Sequence, residues 1–168
     1  MAWVIEQPGA DDADELARLH VLVWQQAYAG LMPAEHLAGL DVEAFAERWR
    51  RRLAGELPGT TWVARDTDGF VAFASSGPGR DEDRPVELEL YAINLLDRTH
   101  GTGLADALMA CAVGDGPAYL WVLDGNERAM AFYRRHGFVD EGARKPEPDT
   151  GNLEVRMVRP TSGQRPRQ

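Results

Sequence analysis

Three sets of residues in this chain have types and spacings suited to chemistry. The first is Gly101-Thr102-Gly103, which opens a helix pattern directly after a strand pattern. Two glycines there let the backbone approach a bulky ligand, and the first N–H groups of a helix lack internal acceptors. Those donors, at the positive end of the helix dipole, favour a phosphate. The second is Tyr133. With Ala129, Phe132 and His136 it falls at i, i+3, i+4 and i+7, behind Asn126, which can cap that helix. A tyrosine on the inner face of a helix beside a phosphate cradle can hand a proton to a leaving group. The third is Glu87 and Glu89, two residues apart on one face of a strand. Either can relay a proton from an attacking group, directly or through water. The plainer alternative is a pair of solvated carboxylates.

These residues need particular elements to hold them. Val86, Leu88 and Leu90 alternate with Glu87, Glu89 and Tyr91, and an apolar run follows to Leu96, which reads as a strand. Leu104, Leu108, Cys111 and Ala112 recur at helical spacing until Gly114-Asp115-Gly116-Pro117, and Cys111 reads as inert packing on that buried stripe. Tyr119 to Leu123 is a second apolar strand, and Asp124-Gly125-Asn126 a turn before the second helix. No lysine or serine follows the glycines in P-loop order, and Asp106 stands where a dinucleotide fingerprint needs its third glycine. An anion cradle in a strand–turn–helix–strand–helix unit remains.

At this point the chain resembles the GNAT superfamily of acetyl-CoA-dependent N-acetyltransferases. LYAINLLDRTHGTGLADALM, Leu90 to Met109, is similar to the family's fourth strand and pyrophosphate loop. LWVLDGNERAMAFYRRHGF, Leu120 to Phe138, is similar to its fifth strand and the helix carrying a tyrosine. The loop pattern, Arg or Gln then x-x-Gly-x-Gly/Ala, fits from Arg98 to Gly103, or from His100 to Ala105 with His100 in place of Arg or Gln. The resemblance implies a fourth and fifth strand that splay apart. Pantetheine would then lie along Ile93, Asn94 and Leu95, and the diphosphate on His100, Gly101, Thr102, Gly103, Leu104 and Ala105. It further implies that Arg98 contacts the adenosine phosphates, that Asn126 and Ala129 touch the pantetheine, and that Tyr133 is general acid toward the CoA sulfur. Some relatives place a glutamate base on the fifth strand, where this chain has Trp121.

The flanking elements read as follows. Ala2 to Gln7 is a short strand, and Asp12 to Glu15 fits a capping box before a helix with Leu16, Leu19, His20, Val23, Trp24 and Ala27 on one face. Gly30 and Pro33 break it, Ala34 to Leu40 is a shorter helix, and Asp41 caps a third with Val42, Phe45, Trp49 and Leu53 inward. The resemblance implies that Trp24, Tyr28, Leu31 and Met32 line the acceptor pocket; packing onto the sheet is the alternative. The run Arg48, Arg50, Arg51 and Arg52 reads as a solvated face. Thr61 to Arg65 and Phe70 to Ser75 form a hairpin turning at Asp68-Gly69, and residues 77–85 an exposed loop. A strand over Val139 to Arg144, a loop over Lys145 to Asn152 and a last strand from Leu153 complete one domain over residues 1–160, with a frayed tail over 161–168. The expected fold is α/β (α+β): a mixed sheet of six to seven strands in the order β-αα-βββ-α-β-α-ββ.

The chain has 168 residues, enough for one domain with a substantial core. Its formal net charge of −9 argues against nucleic acid or an anionic membrane as partner and is compatible with a cationic amine. One cysteine excludes an internal disulfide, and no Cys/His spacing suggests zinc or another metal. The N-terminus shows no signal pattern, which points to the cytoplasm. The leading expectation is direct acetyl transfer from acetyl-CoA to a primary amine of a small molecule or peptide N-terminus. The rivals are an acyl-CoA-binding accessory domain without turnover and a nucleotide-phosphate binder of another class. Oligomeric state stays open between monomer and homodimer.

Overall fold

A computed structural model describes residues 2–160. The expected tail over 161–168 lies outside the described residues. Seven strands form one sheet in the order β1-β2-β3-β4-β5-β7-β6. In sequence they are β1 Val4–Glu6, β2 Thr60–Asp66, β3 Gly69–Pro78, β4 Leu88–Leu95, β5 Ala118–Leu123, β6 Val139–Pro146 and β7 Leu153–Arg159. The helices are α1 Ala13–Ala27, α2 Ala34–Ala38, α3 Val42–Leu53, α4 Leu104–Ala112 and α5 Glu127–Arg135. The order is the expected one, with the short α2 as a third helix between β1 and β2. Among the described residues β4 and β5 are the neighbouring strands that run parallel, joined by the α4 crossover. The other neighbouring pairs are antiparallel, and β7 inserts between β5 and β6 because the β6–β7 hairpin folds back onto β5.

Two features of the sheet position the site. β4 and β5 pair at only Glu89↔Tyr119 and Leu90↔Leu120 and then separate. The cause is a β-bulge: Ser75 faces Ala92 and Ser76 faces Leu90, which leaves Tyr91 as an extra residue in β4. An extra residue bends its strand and raises the local twist. β4 therefore stays on β3 while leaving β5, and a wedge opens beyond Leu90. The second feature is the placement of helices. α1 and α3 pack together over β3, where His20 and Trp49 each meet Phe73 edge-on. α4 covers β2 to β4 on the other face, where the Ser76 hydroxyl donates to Ala112 O at 2.5 Å. Phe73 and Ser76 are three residues apart along β3, so they point to opposite faces.

Four local expectations change. Asp12 does not cap α1. Its carboxylate accepts from Gly9 N–H at 2.7 Å in a 3-10 turn, and Glu15 reaches across to accept from Phe70 N–H at 2.7 Å, tying α1 to β3. The β2–β3 turn residues are Thr67-Asp68, since Asp66 pairs with Gly69 and its carboxylate accepts from Asp68 N–H at 2.9 Å. Val42 is exposed at the first turn of α3, whereas Phe45 and Trp49 are buried. Cys111 is exposed, because the buried stripe of α4 passes through Leu104, Leu108, Met109 and Ala112. The Asp41 cap is as expected, accepting from Glu43 and Ala44 N–H at 2.9 and 3.4 Å.

Candidate active site

The glycine turn forms a cradle of unused donors. After β4, residues 97–99 make a 3-10 turn whose start is tied to α1 by Asp97 N–H donating to Gln26 Oε1 at 3.0 Å. Gly101 and Gly103 then take φ of +74° and +82°, values that suit glycine. Among the described residues the main-chain N–H groups from Gly101 to Asp106 donate to no acceptor; the first N–H to return is that of Ala107, to Gly103 O at 3.1 Å. A Cβ on Gly101 or Gly103 would meet nothing within 4 Å, so the space before these donors is open. His100, Gly101, Gly103, Ala105 and Asp106 border a cavity of about 720 Å³. Thr102 contributes its N–H only, because its hydroxyl donates to Thr99 O at 2.7 Å. Leu104 likewise turns its side chain into the core. Such a run of N–H groups before a helix fits a diphosphate.

Arg98 does not reach the cavity. Its guanidinium turns to the β2–β3 hairpin and meets Asp66 at 2.6 Å. The cations at the cradle come instead from α5: Arg128 and Arg135, seven residues apart, border the same cavity. Their spacing on one helix face is the signal that could have revealed them. His100 sits 3.3 Å from Asp97, and burial, with Arg128 nearby, lowers its pKa against the pull of Asp97.

The cavity extends from the cradle into the wedge between β4 and β5. Ile93, Asn94 and Leu95 border it on one side, and Asn126, Ala129 and Tyr133 on the other. Asn126 caps α5, its Oδ1 accepting from Ala129 N–H at 3.2 Å. Tyr133 is buried, and among the described residues its hydroxyl has no hydrogen-bond partner. Burial, with the Tyr28 phenol close by, raises its pKa well above the ordinary tyrosine value. The phenol therefore keeps its proton across the neutral range.

Glu87 and Glu89 are not alike. Glu87 precedes the strand, is 89% exposed at its side chain and pairs with Arg84 at 3.4 Å, away from the cavities. Glu89 is fully buried beside a second cavity of about 470 Å³, but its oxygens are occupied. They accept from Arg80 N–H at 2.9 Å, from the Arg80 guanidinium at 2.5 and 3.1 Å, and from Tyr119 Oη at 3.0 Å. A carboxylate so engaged anchors the loop after β3 and has little capacity left for a substrate proton. Glu154, on β7 opposite Leu123, differs: it borders both cavities, and its carboxylate makes no hydrogen bond or ion pair among the described residues. Burial raises its pKa against the nearby Lys145, and Glu147 adds to the rise.

The profile of the Acetyltransferase (GNAT) domain matches residues 58–140, a span that holds the cradle, the wedge and Tyr133. The uncharacterized N-acetyltransferase YuaI of Bacillus subtilis is 31% identical over 139 residues, 79% of this chain and 78% of its own. An uncharacterized N-acetyltransferase of Mycobacterium tuberculosis, Rv2669, is 33% identical over 140 residues, 79% of this chain and 86% of its own. The chain belongs to the GNAT acetyltransferase family. Its fold is shared with the PaiA N-acetyltransferase of Thermoplasma acidophilum, solved in complex with coenzyme A, at a TM-score of 0.72 and 17% identity over 93% of this chain and 98% of that one.

At the second cavity of this GNAT fold, Trp24 and Tyr28 border both cavities and Met32 the second. Leu31 borders neither; it packs beside Met32 and Leu37, and its carbonyl accepts from Asn152 Nδ2 at 3.0 Å. Burial, then Glu154 and Glu147, push the Tyr28 phenol up to about 12. Glu154 and Glu147, like Arg128 and Arg135, border the cavities without having been singled out from the sequence. Glu154 alternates with Leu153 and Val155, a pattern identical to that of a solvated strand face. Among the described residues no helix is long and apolar enough to cross a membrane.

Proposed function

We propose that this chain transfers the acetyl group of acetyl-CoA to a primary amine of a small molecule or peptide N-terminus, by direct attack in a ternary complex. The observation that carries the reading is the single cavity joining unpaired N–H groups, an open strand edge and an unpartnered buried phenol. The neighbour solved with coenzyme A supports the cofactor class. The main-chain donors of Gly101 to Asp106 would hold the diphosphate, and the β4 edge at Ile93 to Leu95 the pantetheine. Acetyl-CoA, when bound, supplies the activated acetyl group.

The rest is work for this chain's own side chains. The amine must lose a proton as its C–N bond forms. Glu154 is placed to take that proton, directly or through water, and its raised pKa brings it nearer the working range of a base. As the C–S bond breaks, Tyr133 is placed to give its proton to sulfur, and the phenol is then restored from solvent. A β4 main-chain N–H facing the wedge would stabilise charge on the carbonyl oxygen.

Thiol release from acetyl-CoA across a panel of amines tests this. Amine-dependent release, with a mass gain of one acetyl group on the amine, is the expected result. CoA binding without turnover on any amine would favour the accessory-domain reading. Absence of CoA binding would refute both.

A further inference from the structure

The basic run of α3 divides in the folded protein. Arg50 pairs with Asp14 and Glu43 at 2.7 Å, and Arg51 with Glu56 at 3.1 Å. Arg48 and Arg52 meet no carboxylate within 4.0 Å among the described residues, although acidic residues outnumber basic ones, 27 to 18. Both border the 720 Å³ cavity, on the α1–α3 side of β4 and not at the phosphate cradle. They are also held in place. The Arg52 guanidinium donates to Pro58 O at 3.1 Å and stacks 5.3 Å from the Tyr91 ring. Arg48 lies 5.2 Å over Phe45. Arg80 approaches Tyr91 at 4.4 Å, so a further cation faces Arg52, with Glu89 engaging it. Burial, with Arg80 adding repulsion, lowers the Arg52 pKa, the direction expected of a cation that lacks an anion.

The other end of the same space carries more carboxylates than cations: Glu89, Asp81, Glu147 and Glu154 stand there against Arg80 and Lys145. Glu154 borders both cavities, and Glu147 and Asp81 border the second. Trp24, Tyr28, Tyr91 and Trp121 border both cavities and form the aromatic wall between the two ends. An ammonium suits the acidic end, an apolar body the aromatic wall and an anion the pair of arginines.

We propose that the acceptor is an amine whose apolar body also carries an anionic group, carboxylate or phosphate, bound by Arg48 and Arg52. This specificity rests on the acetyl-transfer reading above. Guanidinium pairs recognise both oxyanions through forked hydrogen bonds, and their fixed stacking lowers the ordering cost of binding. The bulge residue Tyr91 links the two roles: it opens the wedge and its ring supports Arg52.

Matched amines with and without the anion test the proposal. The pairs are phenylalanine and 2-phenylethylamine, 6-aminohexanoate and hexylamine, 4-(aminomethyl)benzoate and benzylamine, and phosphoethanolamine and ethanolamine. In at least one pair the anionic member is expected to show a kcat/KM at least about tenfold higher, carried in KM. The first three pairs against the fourth separate a carboxylate from a phosphate. Arg52→Gln, Arg48→Gln and their combination are expected to bring that ratio toward one; the exposed Arg48 keeps the test available should Arg52→Gln fail to fold. Preference for the uncharged member in every pair would overturn the proposal. So would a ratio that survives the double variant, or a loss of CoA affinity in that variant equal to the loss for the amine. If no amine is acetylated, calorimetry of the same pairs on CoA-saturated protein separates the two readings. A preference for the anionic member that the double variant loses would uphold the anion subsite without acetyl transfer, and no preference would refute it.

Discussion

Tyr133→Phe removes one oxygen from a buried wall and leaves the diphosphate donors untouched. We expect kcat to fall by roughly 10²–10⁴-fold while the Kd for CoA, read by calorimetry, changes little. A kcat within twofold of the wild type would exclude the acid role. The base is tested through pH. Because the Glu154 carboxyl is held above its ordinary value, kcat/KM should rise with pH along an acidic limb as the base form appears. That limb should vanish in Glu154→Gln and persist in Glu89→Gln. The reverse pattern would return the role to Glu89. Tyr133 was legible because its helix period and neighbours are distinctive. Glu154 was not, since whether an alternating strand residue meets water or a cavity depends on what the chain folds over it. For Glu89 the pairing of β4 with β5 buried the side chain, and the loop after β3 then engaged its oxygens.

At the scale of elements, the turn before α4 and the bulge in β4 set the site. Gly103→Ala places a Cβ in open space, so its cost is conformational: about 1–2 kcal/mol for a left-handed backbone. The variant should melt at a lower temperature and bind CoA about tenfold more weakly, because relief of that strain re-aims the donors of Leu104 to Asp106. Unchanged CoA affinity in a titration would argue that these donors do not hold the ligand. The glycine turn, the helices α4 and α5 and the β2–β3 hairpin, though not its turn residues, were readable from residue pattern alone. The bulge at Tyr91 was not, because register is a relation between two strands and neither sequence states it.

For the whole molecule, His20 links packing to pH. It lies among Trp24, Phe45, Trp49 and Phe73, and burial, aided by Arg48 and Arg52, pushes its pKa down from 6.5 to about 3. Below pH 6.5 the unfolded chain takes up a proton that the folded chain refuses, so stability is lost as pH falls from there toward 3. The loss is up to about 1.4 kcal/mol per pH unit. Denaturant melts of the wild type and His20→Phe should converge near pH 7.5 in pH dependence and diverge toward pH ~5, the variant losing less. Parallel curves across that range would show that His20 takes up its proton as readily in the fold as in the unfolded chain. The carboxylates of Asp66, Asp83 and Asp140, held low chiefly by hydrogen bonds from arginines, lose their contributions only below the ordinary carboxylate range.

The sequence by itself determined the order of the strands, the glycine turn before α4 and the tyrosine behind it. Each of these is a local pattern, in which a residue type and its near neighbours dictate the backbone. Only the tertiary structure decided which charges meet an opposite charge: among the described residues Glu89 and Arg50 found theirs, while Glu154, Arg48 and Arg52 border the cavity. Partnering is a matter of distance between segments remote in the chain, and only the packing of α3, β4 and β7 around one opening sets those distances.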